Sequence, residues 1–139
     1  MANSLNAITK IMLYIYLKLK TIIEFKMQIK EIAQTFSLGQ FSSVFQYFAE
    51  EIEWHIIGEQ HIKGKENVIT QCNLIQSHFN ATPHQFTIHA QHQSLNTVII
   101  QGSAEFYHAN NNTIIQACDL YTFDHSNKLI LIESYCITR

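Results

Sequence analysis

The sequence predicts an α+β fold, with helices first and a meander of strands last. Three observations predict it. Apolar residues recur at helical spacing over much of the first 79 residues, and four segments between 84 and 137 are rich in β-branched and aromatic residues. Short polar separators at Gln93–Ser94, Asn110–Asn112 and Ser126–Asn127 suit tight antiparallel connections between those segments. That segregation of helices from strands is the mark of an α+β domain.

The elements follow in order. Ile8, Ile11, Met12, Ile15, Leu19 and Ile22 fall on one face of an amphipathic helix near the N-terminus. Ile29, Ile32, Ala33 and Phe36 make a second helical stripe that ends near Gly39. Val44, Phe45, Phe48 and Ala49 make a third. Ile52–Ile57 reads as a strand, and Gly58–Gly64 as a turn or short hairpin. Val68, Ile69, Cys72, Ile75 and Phe79 form the apolar face of a helix over about 65–79, with Pro83 beyond its end. Strands are expected at about 84–92, 95–107, 113–124 and 128–137.

Composition narrows the class. A chain of 139 residues with 47% hydrophobic and 14% charged residues can close a single core without disulfide or metal staples. The net charge of −2 excludes a nucleic-acid binder of the ordinary kind, which needs a concentrated basic face. That charge is unevenly divided: residues 1–30 carry a net +4 and residues 31–139 a net −6. The apolar run Ile11–Leu17 is too short to cross a bilayer, which takes about 20 residues, and no signal-peptide cleavage pattern follows it. Residues 1–26 are therefore expected to be an extension to a domain at 27–139, with lipid-surface binding the lesser reading. Cys72, Cys118 and Cys136 are odd in number and widely spaced, which predicts reduced, buried thiols and a cytoplasmic protein. No phosphate-binding glycine loop, Gly-x-Ser-x-Gly or His-Glu-x-x-His occurs, so neither a cofactor nor a metal is expected. His89 and His92, three apart in a strand, would point to opposite faces in regular geometry.

The element order resembles the NTF2-like superfamily, the cone-shaped α+β fold also called cystatin-like, over about residues 28–137. Within it the chain is most similar to SnoaL-like and ketosteroid-isomerase-like proteins. Phe48-Ala49-Glu50-Glu51 at the end of the expected helix carries part of the resemblance, as does the Gly58/Gly64 pair. The run Cys118-Asp119-Leu120-Tyr121-Thr122-Phe123-Asp124, leading through Lys128-Leu129-Ile130 to Ser134-Tyr135, carries the rest. The resemblance implies three N-terminal helices packed on a curved, mostly antiparallel sheet, with an extra helical or disordered extension. It also implies an apolar pocket for a small hydrophobic molecule and a homodimer formed through the sheet.

The resemblance supplies site residues one by one. In register with Gly58, His55 falls where the isomerases hold their proton-shuttling carboxylate, and SnoaL-like relatives often carry Trp-His, as at Trp54-His55 here. A register one residue different places Ile56 there instead. Asp119 falls where the isomerases keep a protonated carboxylic acid that donates to a developing oxyanion. Their first-helix tyrosine is replaced by Ile32, so steroid isomerisation itself is not implied. The residues agree in chemistry: an acid in an apolar strand has its pKa raised by desolvation, and a neutral imidazole accepts protons near neutral pH. His55 and Asp119 are the expected catalytic pair, with Trp54 and Tyr121 as pocket walls. Two readings stay open: a cofactor-free acid–base enzyme (isomerase, cyclase, dehydratase or hydrolase type), and a non-catalytic apolar-ligand-binding or dimerisation module. In the second, Asp119 accepts hydrogen bonds from Tyr107 or Tyr121 and His55 pairs within the fold.

Overall fold

A computed structural model describes the backbone of residues 6–25 and 27–139, and the side chains of 6–20 and 27–139. The helices are α1 (Ala7–Phe25), α2 (Ile29–Ser37) and α3 (Lys65–Ala81), with a 3₁₀ helix at Phe41–Tyr47. The strands are β1 (Phe48–Ile56), β2 (Gln60–Lys63), β3 (His84–Ser94), β4 (Thr97–Phe106), β5 (Thr113–Phe123) and β6 (Leu129–Thr138). They form one curved, unclosed sheet in the order β2-β1-β6-β5-β4-β3. All neighbours are antiparallel except β1 and β6, which run parallel. The expected α+β cone is what forms.

Packing chooses the boundaries. In α2, Ile32, Ala33 and Phe36 lie on the buried face, and the Glu31 carboxylate accepts a hydrogen bond from the Gln28 N–H at 2.9 Å, closing the first turn. Gly39 ends this region at φ +74°, where any Cβ would also meet the Phe86 ring at 2.9 Å. The expected helix through Ala49 is shorter than its periodicity suggests. Its helical part is a single 3₁₀ segment ending at Tyr47, and Phe48-Ala49-Glu50-Glu51 opens β1 instead. Phe48 and Ile52 are buried there at 1% and 0% exposure, a spacing of four that a strand and a helix both satisfy.

A bulge between Ile88 and Ala90 changes the parity of β3. His89 therefore reaches Ser103 Oγ at 2.9 Å, and His92 pairs with Ile99; both stand on the sheet's outer face rather than on opposite ones. Gly102 faces this bulge, and a Cβ there would lie 2.7 Å from the Thr87 carbonyl oxygen. The first tight turn falls at Leu95–Asn96, two residues beyond the expected separator, with Leu95 at φ +52°.

Among the described residues, helix α1 contributes none to the buried core. Ile8, Ile11, Met12, Ile15 and Leu19 are exposed at its surface; the side chain of Ile22, assigned to the same stripe, lies outside the described residues. No described helix is long and apolar enough to cross a membrane. The core instead gathers Ile32, Phe36, Val44, Phe48, Ile52, Trp54, Val68, Ile100, Tyr121 and Ile132 between the helices and the concave face of the sheet.

Candidate functional site

The concave face is written by register. One row across the sheet runs Ile56–Ser134–Asp119–Ile100, and the adjacent row runs Trp54–Ile132–Tyr121–Val98. Helices α2 and α3 do not fill the space over the first row. A cavity of about 360 Å³ remains, walled by Phe36, Ile75, Phe79, Phe86 and Phe106. Trp54, Tyr121 and Asp119 all line it, as Ser37, Ser134, Glu59 and Cys136 do. The volume is within the range that holds small organic ligands.

Asp119 is the electrostatic centre of this cavity. Burial among apolar walls pushes its pKa from 3.8 up to about 6, while hydrogen bonding to the Ser134 and Tyr121 hydroxyls pulls the other way. The partners of those hydroxyls show how they are aimed. The Trp54 indole can only donate, and its Nε1–H donates to Ser134 Oγ at 3.0 Å. The Ser134 hydroxyl hydrogen is thereby free for Asp119, its cross-strand neighbour. Tyr121 Oη lies 2.6 Å from Ser37 Oγ at the end of α2. Its own pKa is raised well above the ordinary value, first by burial and then by the Asp119 charge, so the phenol stays protonated. Cys136, at the exposed side of the cavity, is likewise pushed up to about 11 by burial and by the charges of Asp119 and Glu59. Of the three cysteines, expected to be buried alike, only Cys72 is fully buried; all are free thiols.

The shift at Asp119 has a stability consequence with a definite sign. Its folded pKa lies above its unfolded one, so between about pH 4 and 6 the native state keeps a proton that the unfolded chain has lost. Stability then falls as pH rises through that window and levels off above it. At ~1.4 kcal/mol per unit, the ionised acid costs the fold about 3 kcal/mol above pH 7. Asp119→Asn is expected to raise the unfolding free energy by up to about that amount at pH 8 and to leave it little changed at pH 4. Urea titrations at the two pH values measure the difference.

The expected pair of His55 and Asp119 does not converge. Side chains alternate along a strand, and Trp54 and Ile56 take the inward positions of β1, so His55 between them stands on the outer face. Its sheet neighbours there are Glu133 on β6 and His61 on β2. Its Nε2 contacts Glu53 Oε2 at 3.1 Å, a carboxylate partner in place of a cavity. Ile56 occupies the inward position, as the alternative register has it. Ser134, Glu59, Ser37 and Cys136 also reach the cavity, and none of them is among the site residues expected from the sequence. For two of them the signal was present, since Ile132, Ser134 and Cys136 alternate along one face of β6.

No protein-family model and no curated protein sequence matches the chain. Solved structures do. The α+β cone fold is shared with an NTF2-like protein of unknown function from Cytophaga hutchinsonii ATCC 33406. The two are 35% identical, with a TM-score of 0.71, over 77% of this chain and 94% of that one. The chain belongs to the NTF2-like family. Its fold is also similar to that of an M. tuberculosis LEH-like epoxide hydrolase, at 13% identity and a TM-score of 0.61, over 78% of this chain and 82% of that one. A candidate SnoaL-like polyketide cyclase from Jannaschia Sp. CCS1 matches at 11% identity and a TM-score of 0.63, over 80% of this chain and 89% of that one.

Proposed function

We propose that residues 27–139 form a small-molecule-binding unit whose cavity takes a hydrophobic substrate. Asp119 serves there as the proton donor of a cofactor-free acid–base reaction of the isomerase, cyclase, dehydratase or hydrolase type. The observation that carries this reading is a carboxyl group raised to about 6 in a mostly apolar cavity, with the Ser134 and Tyr121 hydroxyls beside it. An acid with a pKa close to the working pH is protonated often enough to donate and weak enough to recover its proton.

In this mechanism the neutral Asp119 carboxyl donates its hydrogen to a carbonyl or epoxide oxygen held against it. As negative charge develops on that oxygen, the proton moves across and Asp119 is left as a carboxylate. Ser134 and Tyr121 then stabilise the carboxylate by donating to it, at no cost in reorganisation because Trp54 and Ser37 already hold them. The aromatic walls position the rest of the molecule and exclude water. His55 faces outward and takes no part. Glu59 is the other carboxylate lining the cavity and is assigned as the base or the group that activates water.

Epoxide and cyclisation chemistry named for the structural neighbours sets the first compounds to try. A thermal-shift and turnover screen of hydrophobic epoxides and carbonyl compounds is expected to yield ligands that raise the unfolding temperature. It is also expected to yield at least one that is converted. Binding with no conversion of any ligand would favour the second reading, a non-catalytic binding module, which the outward position of His55 already favours. A homodimer through the outer sheet face and a cytoplasmic location complete the proposal. Tyr135 and Ile137, exposed at 46% and 67%, are the apolar groups such a dimer would cover.

A further inference from the structure

The outer face of β1 and β2 carries a second constellation, separated from the cavity by the thickness of the sheet. Antiparallel pairing sets His55 opposite His61 and Glu53 opposite Lys63. Glu53 and His55 are two apart on one strand and so share a face. The side chains close on one another: Glu53 Oε2 lies 3.1 Å from His55 Nε2 and 2.6 Å from His61 Nε2, and the two imidazole rings stand 3.8 Å apart at their centroids. The three donor atoms all lie within 4.8 Å of one another.

We propose that Glu53, His55 and His61 form a binding site for a divalent transition metal of the zinc class. Two imidazoles and one carboxylate are a ligand set that zinc takes with a fourth position left open. Ligands held ~2.0–2.1 Å from a tetrahedral ion stand about 3.3 Å apart. The Glu53–His55 separation of 3.1 Å is close to that spacing, and the Glu53–His61 separation of 2.6 Å has to open by less than an ångström, so side-chain rotations admit the ion. Lys63 Nζ sits 3.7 Å from the other carboxylate oxygen, Oε1, and orients the group so that Oε2 faces the imidazoles. The three side chains are 34–41% exposed, which leaves a path from solvent and room for a water in the open position. Glu133, the cross-strand partner of His55 on β6, is a position from which a fourth protein ligand would come. An ion here would tie the edge strand β2 to β1 and stiffen the strand from which Trp54 and Ile56 line the cavity. The site depends on no residue of the proposed reaction.

Calorimetric titration of the full chain with zinc chloride, after treatment with EDTA, tests this. One equivalent is expected to bind. His61→Ala and Glu53→Gln are each expected to weaken that binding by at least the tenfold to hundredfold typical of losing even a supporting group. Magnesium, which prefers oxygen ligands, is expected not to compete. The spectrum of the cobalt(II) form is expected to show nitrogen and oxygen ligation without a thiolate charge-transfer band. Absence of zinc binding, binding equally tight in both variants, or a thiolate band from Cys118 or Cys136 would each overturn the site. Because both positions are partly exposed, unfolding curves in EDTA are expected to coincide with the parent's. If one variant fails that control, His55→Gln replaces it.

Discussion

Asp119→Asn is expected to lower kcat for the substrate found by the screen by about 100- to 10,000-fold, the usual worth of a positioned general acid. Substrate affinity should change little, because the amide keeps the shape of the acid and can still donate a hydrogen bond. The proton is what it cannot supply. The pH profile makes the same point independently. With a pKa of about 6, the donor form of Asp119 prevails below that value and falls about tenfold for each unit above it. The parent's rate is therefore expected to decline through the neutral range, and the variant's residual rate to be flat there. A parent rate that instead rises through pH 6 would make Asp119 a base and reverse the mechanism. Coupled to the stability gain expected for the same substitution at pH 8, this result would mark Asp119 as a group kept at a cost to the fold.

Phe36→Ala is expected to cost about 3–5 kcal/mol of stability, a large share of the roughly 5–15 kcal/mol available to a domain. Phe36 is 4% exposed and stands where both layers meet. Its ring centroid lies 4.8 Å from Phe41, 5.2 Å from Trp54, 5.7 Å from Tyr121 and 6.2 Å from Phe48. Removing it deletes edge-to-face contacts as well as apolar burial, and the neighbours are too well anchored to collapse into the space. The void opens toward the cavity, so the variant should also accept bulkier ligands. Urea unfolding with an unchanged slope and a lowered midpoint measures the first effect. A loss under about 1 kcal/mol would mean that the helical layer is not anchored through this ring.

Much of the architecture was legible because it rests on local periodicity. The apolar stripe from Ile29 to Phe36, the helix at 65–79 and the four late strands are set by side-chain spacing that holds whatever the neighbours are. Phe48 was misread because a spacing of four, Phe48 to Ile52, suits a helix and a strand alike. Only pairing with β6 at Leu129 resolves it. Asp119 and Tyr121 were expected in the cavity through the family resemblance, because apolar residues on both faces of their strand leave its facing open; pairing with Ser134 and Ile132 turns both inward. His55 was not, because its face depends on one residue of register in β1, and a shift of one residue reverses every side chain.

The metal-ligand set shows the same division. Glu53 and His55 are adjacent on a face by spacing alone, but His61 joins them only through the hairpin register that sets it opposite His55. By itself the sequence determined the fold class and the order of its elements, while Asp119 entered as a cavity residue through the family resemblance. Tertiary structure decided which face each β1 side chain occupies, the bulge that brings His89 and His92 to one side, and the hydroxyl partners of Asp119. The physical reason is that periodicity is a property of the chain, whereas register and facing are properties of the strand alongside.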